Sequence, residues 1–243
     1  MNETLRLMHK HRSIRKYTDA PIPDADILAA VQAGQAASTS GAIQTYSALR
    51  ITNPDTRAKL IGLTGGQPYV AGAGAFFVIN GDTHLARLAM KKKNAQYNAR
   101  LEGFLLSVID ATLFAQNMAL ALESMGYGVC FIGGLRNSLP QVDRLLNLPV
   151  GVYPLFGLCA GVPAQTPTAR PRLNPRSILF EDTYPSDDQL LELLAPYDAK
   201  YEQYLAQRGA EARTWSNVMT SKFVEPKRVD LAEYYKSKGA DLT

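Results

Sequence analysis

The sequence predicts an α+β fold in which helices flank a mixed β-sheet. Short apolar runs have the length and composition of strands at residues 48–52, 75–79, 129–132 and 153–158. One much longer segment, 101–125, is rich in Leu, Ala, Met and Phe at helical spacing. Because strands and helices alternate irregularly, a mixed sheet fits better than a series of βαβ units.

The first third of the chain carries two predicted helices and two predicted strands. Residues 3–9 predict a short helix, and Pro21–Asp24 supplies a stop followed by an N-cap for a helix over 25–36. A loop at 64–68 separates the two strands, and the second strand is apolar enough to be central in the sheet.

The remaining elements complete the predicted domain. Gly126 ends the long helix as a C-cap, and a further helix is predicted over 136–146. After Phe180 the helices are amphipathic but thinly apolar, so this part cannot form its own core. We therefore expect one domain over 1–243, whose segment from about 180 to 243 packs along the rest or along a partner subunit.

Composition excludes several classes of protein. The 243 residues are 46% hydrophobic and 20% charged with a net charge of +4, which is ordinary for a soluble globular enzyme. Basic residues are scattered apart from Lys91–Lys93, so nucleic-acid binding is not expected. No stretch approaches the length of a membrane span and the N-terminus lacks an apolar signal core, so we expect a cytoplasmic protein without membrane contact. Cys130 and Cys159 lie in apolar segments without metal-like spacing, so we expect no metal site.

The most informative motif is His11–Arg15, which places three cations or potential cations and a hydroxyl in one short turn between two helices. Arginine presents a rigid fork of donors that matches phosphate oxygens, so the motif indicates a grip for a phosphorylated ligand. Arg170 and Arg172 form a second basic pair. A surface ion pair remains the alternative for each arginine, and a helix cap for His11. The glycine-rich fingerprints of dinucleotide and nucleoside triphosphate binding are absent.

Two further segments are suited to binding. Gly133 and Gly134 directly follow a buried strand, which indicates a backbone that a flat ligand approaches closely, with a plain strand-to-helix turn as the alternative. The polar run Ser38–Gly41, with Gln44, is suited to hydrogen bonding a polyol or a ring edge, and alone would indicate only a loop.

Taken in order, these pieces resemble the nitroreductase superfamily, and within it the group A oxygen-insensitive NADPH nitroreductases and flavin reductases. The segments that carry the resemblance are 11–15, 63–67, 131–137, 154–158 and 170–173. The resemblance implies an intertwined homodimer, FMN bound without a covalent bond at the dimer interface, and C-terminal segments that wrap the neighbouring subunit.

The resemblance assigns the phosphate end of FMN to the basic clusters. His11, Arg12 and Ser13 would hold the phosphate and the ribityl chain, and Arg170 and Arg172 would join them.

The resemblance assigns a second set of residues to the ring end of FMN. Arg15 would lie near N1 and the C2 carbonyl, where its charge would stabilise the reduced flavin, and it is the one residue with an implied catalytic role. The backbones of Gly133 and Gly134 would donate toward N5. Ser38, Thr39, Ser40 and Gln67 would line the ribityl chain or the ring edge. Phe131 and Ile132 are also implied to contact the cofactor.

The segment 208–215 resembles the loop that family members use for the 2′-phosphate of NADPH. On one helix Arg208 and Arg213 would point about 140° apart, but Gly209 breaks the helix, so a mobile loop could bring both guanidinium groups onto one phosphate. An exposed basic loop without a ligand is the alternative. Arg228 falls where the family places another cation that faces the active site.

The implied activity is a two-electron ping-pong hydride transfer in which NADPH reduces FMN and the flavin then reduces a nitroaromatic, a quinone or a related acceptor. A flavin reductase that supplies free reduced FMN would share every motif. A non-enzymatic flavin-binding protein is the alternative from another class, and it would leave Arg208 and Arg213 without a role.

Overall fold

The structure is a computed structural model that describes residues 1–242. It contains two compact units, and each is described by itself. The larger unit comprises Met1–Pro167 and the C-terminal stretch that begins at Arg228, and the smaller unit comprises Thr168–Lys227. The expectation of one domain with a C-terminal excursion from about residue 180 stays a prediction.

The helices and strands follow the predicted order. In chain order the helices are α1 (Glu3–His9), α2 (Asp24–Gln35), α3 (Pro54–Leu63), α4 (Tyr69–Gly72), α5 (His84–Lys92), α6 (Arg100–Ser124), α7 (Leu139–Leu146), α8 (Asp187–Gln207), α9 (Trp215–Phe223) and α10 (Leu231–Ser237). The strands are β1 (Tyr46–Arg50), β2 (Ala75–Asp82), β3 (Gly128–Ile132) and β4 (Val152–Gly161). Short 3₁₀ turns occupy Ser40–Ala42, Gly133–Asn137 and Pro175–Ser177. Helices α8 and α9 belong to the smaller unit, and the strands belong to the larger one.

The sheet has the strand order β1-β2-β4-β3, and all three pairs are antiparallel. The predicted α+β class is confirmed. The mixed sheet is corrected to an antiparallel one, because the only parallel pairing among residues 1–242 is an isolated bridge between Ser13 and Val129. That bridge matters for the site, since it fixes the His11–Arg15 segment along the outer edge of β3.

The strand β2 divides the core into two layers. Its side chains alternate, so Phe77 and Ile79 face one side while Phe76 and Val78 face the other. The first layer is closed by α6 and α2, and the second by α3 and α7. The prediction that this strand is central is confirmed, because both of its faces are buried.

Helix ends differ from the predicted ones in two places, where a side-chain contact replaces the predicted cap or a 3₁₀ turn replaces part of the predicted helix. Asp24 does not cap α2, because its carboxylate instead accepts a hydrogen bond from Arg50 at 2.7 Å. The helix predicted over 136–146 is shorter, because Gly133–Asn137 forms a 3₁₀ turn before α7 begins at Leu139. Gly126 does follow the long helix in the left-handed conformation, with φ of +88°.

Helix α6 corrects the expectation that no stretch approaches the length of a membrane span, since by length and composition alone it could cross a membrane. In the fold it packs against the sheet and α2. Its side chains Phe114, Met118 and Leu122 are buried there, and Asp110 near its middle is fully buried. A core helix of a globular unit satisfies the same criteria of length and composition.

The C-terminal stretch returns to the larger unit and is fixed there by side chains. Arg87 donates to the carbonyl of Gly239 at 2.7 Å, and the hydroxyl of Tyr235 donates to the carbonyl of Pro154 at 2.9 Å. Lys238 pairs with Asp143 at 3.0 Å. These contacts hold α10 on the same unit that contains the sheet.

The buried carboxylate of Asp110 anchors the loop between α2 and β1. It accepts hydrogen bonds from the backbone N–H of Ser40 at 3.3 Å and from both the backbone N–H and the hydroxyl of Thr45, at 3.0 and 2.9 Å. An ionised acceptor inside a protein needs such donors to offset its lost hydration. The contacts of Asp110 therefore lie within one chain.

We predict that Asp110→Ala lowers the free energy of unfolding by about 3 kcal/mol, because buried N–H groups lose a charged acceptor. Urea denaturation followed by circular dichroism measures the loss. The matched control is Glu102→Ala, which removes an exposed carboxylate from the first turn of the same helix. Equal losses in the two variants would contradict the anchoring role.

Candidate functional site

The His11–Arg15 segment lies in an extended conformation along β3. The backbone N–H of Ile14 donates to the carbonyl of Val129 at 2.9 Å, beside the Ser13 bridge. Gly128 permits this approach, because a Cβ at that position would lie 2.5 Å from Cγ1 of Ile14. Burial of Ile14 turns its charged and polar neighbours toward the surface.

At the start of this segment His11 and Arg12 have different surroundings. The Nδ1 atom of His11 lies 2.7 Å from Oε1 of Glu123, near the end of α6, which leaves Nε2 for another partner. Arg12 donates from Nη1 to the carbonyl of Lys10 at 2.7 Å, while its buried Nε has no hydrogen-bond partner within residues 1–242. Arg12 and Glu123 also line a cavity of about 240 Å³.

The side chain of Tyr69 contacts both Arg15 and Gln67. The guanidinium carbon of Arg15 lies 5.9 Å from the ring centroid of Tyr69. The Tyr69 hydroxyl donates to Oε1 of Gln67 at 2.6 Å, and Nε2 of Gln67 donates to the carbonyl of Thr64 at 3.0 Å. Burial raises the pKa of the Tyr69 hydroxyl, so it acts as a neutral donor.

The two predicted glycines have different roles. A Cβ on Gly134 would lie 2.2 Å from the carbonyl oxygen of Thr64 and 2.5 Å from Nε2 of Gln67, so the chain's own loop makes the close approach there. A Cβ on Gly133 would meet only a guanidinium nitrogen of Arg136, at 3.6 Å. Open space for a ligand therefore lies beside Gly133 and not beside Gly134.

The end of β3 presents one aromatic ring to the surface. Phe131 is 37% exposed and packs edge to face against Phe156, with ring centroids 5.5 Å apart. Ile132 is buried in the core, so only its backbone is available for the predicted cofactor contact. Burial also raises the pKa of the neighbouring Cys130 thiol, an effect that Arg15 partly offsets, and this favours an unreactive thiol.

Two arginines, Arg136 and Arg228, lie near each other on the side of Gly133. Arg228, which has φ of +58°, donates from Nε to the side-chain oxygen of Asn137 at 2.9 Å. Burial and the nearby charge of Arg136 lower the pKa of Arg228. Neither arginine forms a salt bridge within the described residues 1–242. Uncompensated positive charge of this kind favours an anionic ligand.

The predicted Ser38–Ser40 contacts lie far from His11 within one chain. Ser40 is attached to Asp110, whereas His11 is attached to Glu123. Both acceptors are on α6, and thirteen residues of helical rise separate them by about 20 Å. The structure therefore does not bring these two predicted groups together in a single chain.

The smaller unit holds the other predicted arginines. Arg170 and Arg172 lie close enough to Tyr197 to lower the pKa of its hydroxyl, although burial of that hydroxyl has the larger, opposite effect. Arg208 ends α8 and donates to the hydroxyl of Tyr204 at 2.8 Å. Arg213 is exposed in the following loop. The predicted convergence of Arg170 and Arg172 with His11–Ser13 stays a prediction, as does the binding of NADPH by Arg208 and Arg213.

Sequence reasoning missed several residues that organise the site. Tyr69 stands two positions after Gln67, and an aromatic residue so near a predicted ligand contact is a usable signal. Glu123 lies 112 positions from its partner His11, and nothing local in the sequence indicates that contact. Arg136 lies inside the segment 131–137 that carried the resemblance, but it was not assigned a role.

Known proteins match this chain over nearly its whole length. A sequence model described as "Nitroreductase family" matches residues 8–161, and one described as "Nitroreductase family, C-terminal domain" matches residues 170–243. The chain is 38% identical to the FMN reductase (NADPH) of Bacillus subtilis, over 98% of each chain. It is 39% identical to the oxygen-insensitive NADPH nitroreductase of Salmonella typhimurium, again over 98% of each chain.

Solved structures show the same likeness. The NfrA1 nitroreductase of B. subtilis superposes with a TM-score of 0.95 at 37% identity, covering 98% of this chain and 99% of that one. The NADPH:FMN oxidoreductase of Vibrio harveyi, solved as a complex with NAD⁺, gives 0.90 at 38% identity, with 99% of each chain covered.

We predict that Gly134→Ala destabilises the folded protein by about 2 kcal/mol or more, because the new methyl group must displace the Thr64 carbonyl. The thermal unfolding midpoint of the ligand-free protein measures this effect. Gly133→Ala is the matched control, since the added Cβ meets only the Arg136 guanidinium, at an ordinary contact distance of 3.6 Å. A Gly134→Ala variant as stable as Gly133→Ala would contradict the packing described here.

Proposed function

This chain belongs to the nitroreductase family, and we propose that it is an FMN-dependent oxidoreductase that takes hydride from NADPH and reduces nitroaromatics, quinones or related acceptors. The observation that carries this function is the full-length likeness to the Bacillus and Salmonella enzymes, which are named for NADPH and for FMN or nitro-group reduction. Family membership also makes the chain an enzyme rather than a storage protein for flavin.

The residues present fit FMN. The Nε of Arg12 is buried without a partner in residues 1–242 and beside a cavity, which suits a phosphate oxygen. The space beside Gly133 suits the edge of a flat ring, and the exposed guanidinium of Arg15 forms no salt bridge within the described part of the chain. When bound, FMN supplies a two-electron carrier between a nicotinamide and the acceptor.

Side chains of this protein hold and polarise that cofactor. With FMN bound, Nε2 of His11, the Arg12 guanidinium and the Ser13 hydroxyl would donate to its phosphate end. Each charge-assisted hydrogen bond contributes about 1.5–3 kcal/mol to retention.

At the ring end Arg15 supplies positive charge where negative charge develops during reduction, which is the catalytic role we assign to it. Tyr69 fixes the amide of Gln67 by occupying its oxygen, so the remaining N–H of Gln67 can donate to the cofactor. Gly133 lets the ring approach the backbone next to the exposed ring of Phe131.

Two copies of the chain are needed to complete one site. Ser38–Ser40 lies about 20 Å along α6 from His11, too far for both groups to bind the same part of one cofactor. A two-fold dimer overcomes this separation, because the loop of one copy can reach the basic segment of the other. We infer a homodimer with FMN at its interface.

The surface of α6 supports the same dimer. Leu101, Leu105, Ile109 and Leu113 recur every four residues and are 38 to 52% exposed. Such spacing places the four side chains in one apolar stripe along the helix. A contiguous apolar stripe on the outside of a chain is typical of a surface that another protein covers.

Arg208 and Arg213 of the smaller unit would bind the anionic groups of NADPH. A guanidinium fork recognises the 2′-phosphate that NADH lacks, so these arginines favour NADPH. The exposed position of Arg208 and Arg213 leaves both free to meet a dissolved substrate.

A flavin reductase that supplies free reduced FMN is the second candidate, and it is favoured by the likeness to the Bacillus relative, which is named an FMN reductase. Competition between FMN and a nitroaromatic acceptor distinguishes the two activities. Either one is consistent with a cytoplasmic enzyme supplied with NADPH, which is the location we propose.

We predict that the purified protein shows a flavin absorbance band that NADPH bleaches in the absence of oxygen, and bleaches faster than NADH does.

We predict that in Arg208→Ala/Arg213→Ala the KM for NADPH rises by about tenfold or more, because two charged hydrogen bonds to the 2′-phosphate are lost. The KM for NADH, which lacks this phosphate, stays constant. Arg176→Ala, which removes another exposed arginine of the smaller unit, is the control. A colourless protein that takes up no FMN would refute the proposed function, whereas an unchanged NADPH to NADH ratio would refute only the loop assignment.

We predict that Ile109→Lys converts a dimer into a monomer, because a charge in the centre of the apolar stripe must be desolvated in the interface. Light scattering coupled to size-exclusion chromatography measures the mass. Leu85→Lys is the matched control, since Leu85 is 76% exposed on α5. A wild-type mass of one chain at micromolar concentration would overturn the dimer.

A further inference from the structure

An aromatic stripe runs along α8 and ends at Arg208. Tyr197, Tyr201, Tyr204 and Arg208 are spaced by four, three and four residues, which places them on one face of the helix. The three tyrosines are buried, and Tyr201 lies between its neighbours with ring centroids about 6 Å apart. Trp215, the first residue of α9, packs against Tyr197 at 5.9 Å.

Tyr204 holds Arg208 by two contacts. The Tyr204 hydroxyl accepts a hydrogen bond from Nη1 of Arg208 at 2.8 Å, and the guanidinium carbon lies 5.4 Å from the centre of the tyrosine ring. Only one of the arginine's N–H groups is used in this way. The remaining donors of the fork are left free to face an anion.

The other end of the loop after Arg208 is also tied to α8. Asp198 accepts hydrogen bonds from the backbone N–H and the hydroxyl of Ser216, at 2.9 and 2.7 Å. Thr214 caps α9 through a reciprocal pair of contacts with Asn217. The chain between them turns at Gly209, which has φ of +66°. The loop 209–213 is therefore short and fixed at both ends.

We propose that Tyr204 is a positioning residue that orients Arg208 toward the 2′-phosphate of NADPH and thereby sets the preference for NADPH over NADH. This inference rests on the proposed function. Arginine loses much rotamer freedom when it binds a phosphate, and Tyr204 removes part of that freedom before the substrate arrives. NADH has no 2′-phosphate, so its binding gains nothing from an oriented Arg208.

The test uses the holoenzyme and the variant Tyr204→Phe, which keeps the ring and removes the hydroxyl. We expect its KM for NADPH to rise by about threefold to tenfold, from the loss of one hydrogen bond to a charged group, with kcat and the KM for NADH unchanged. Isothermal titration with 2′,5′-ADP should show the same weakening, and titration with 5′-AMP should show none.

Tyr201→Phe is the matched control. It removes a hydroxyl from the same buried stripe, and that hydroxyl has no hydrogen-bond partner within residues 1–242. Its affinities for 2′,5′-ADP and NADPH should equal those of the wild type. The melting temperature and flavin spectrum of both variants show whether the fold is retained.

The double variant Tyr204→Phe/Arg208→Ala distinguishes positioning from a purely structural role. If Tyr204 acts through Arg208, the double variant has the NADPH to NADH ratio of Arg208→Ala alone. Additive effects, equal losses for NADPH and NADH, or an unchanged ratio in Tyr204→Phe would each overturn the inference. A wild-type holoenzyme that does not oxidise NADPH would instead refute the proposed function, and with it this inference.

Discussion

The long helix α6 is the constraint on which the rest of the molecule depends. It covers one face of the sheet, and its polar side chains hold both halves of the candidate site, with Asp110 fixing the loop before β1 and Glu123 fixing His11. Since a helix is rigid over this length, the two halves are kept about 20 Å apart. This separation is the reason for our proposal that two chains share the cofactor.

The elements with strong periodicity were predictable from the sequence. The long helix and the doubly buried strand β2 bury side chains along their whole length, so their patterns persist over many residues. The antiparallel sheet was not predictable, because the long connections between strands leave direction open. The 3₁₀ turn that precedes the start of α7 at Leu139 was also not predicted, since the sequence around Arg136 is equally compatible with an α-helix.

The site was predictable only where a short motif carries it. His11–Arg15 and the glycine pair stand out in the sequence, but their functional assignment came from resemblance. The contacts that organise these residues join distant positions, such as His11 with Glu123 and Arg228 with Asn137. Local composition contains no trace of such pairs. The distinction between Gly133 and Gly134 likewise depends on where the Thr64 carbonyl lies.

The return of the chain to the larger unit at Arg228 makes the smaller unit an insertion rather than a tail. Both of its ends connect to the same folded body, and Arg87 and Tyr235 hold the stretch that follows the second junction on that body. The entropy of closing such a loop grows only with the logarithm of its length. Evolution can therefore lengthen, shorten or exchange the segment that we propose to select the electron donor while the scaffold built on the sheet keeps its stability.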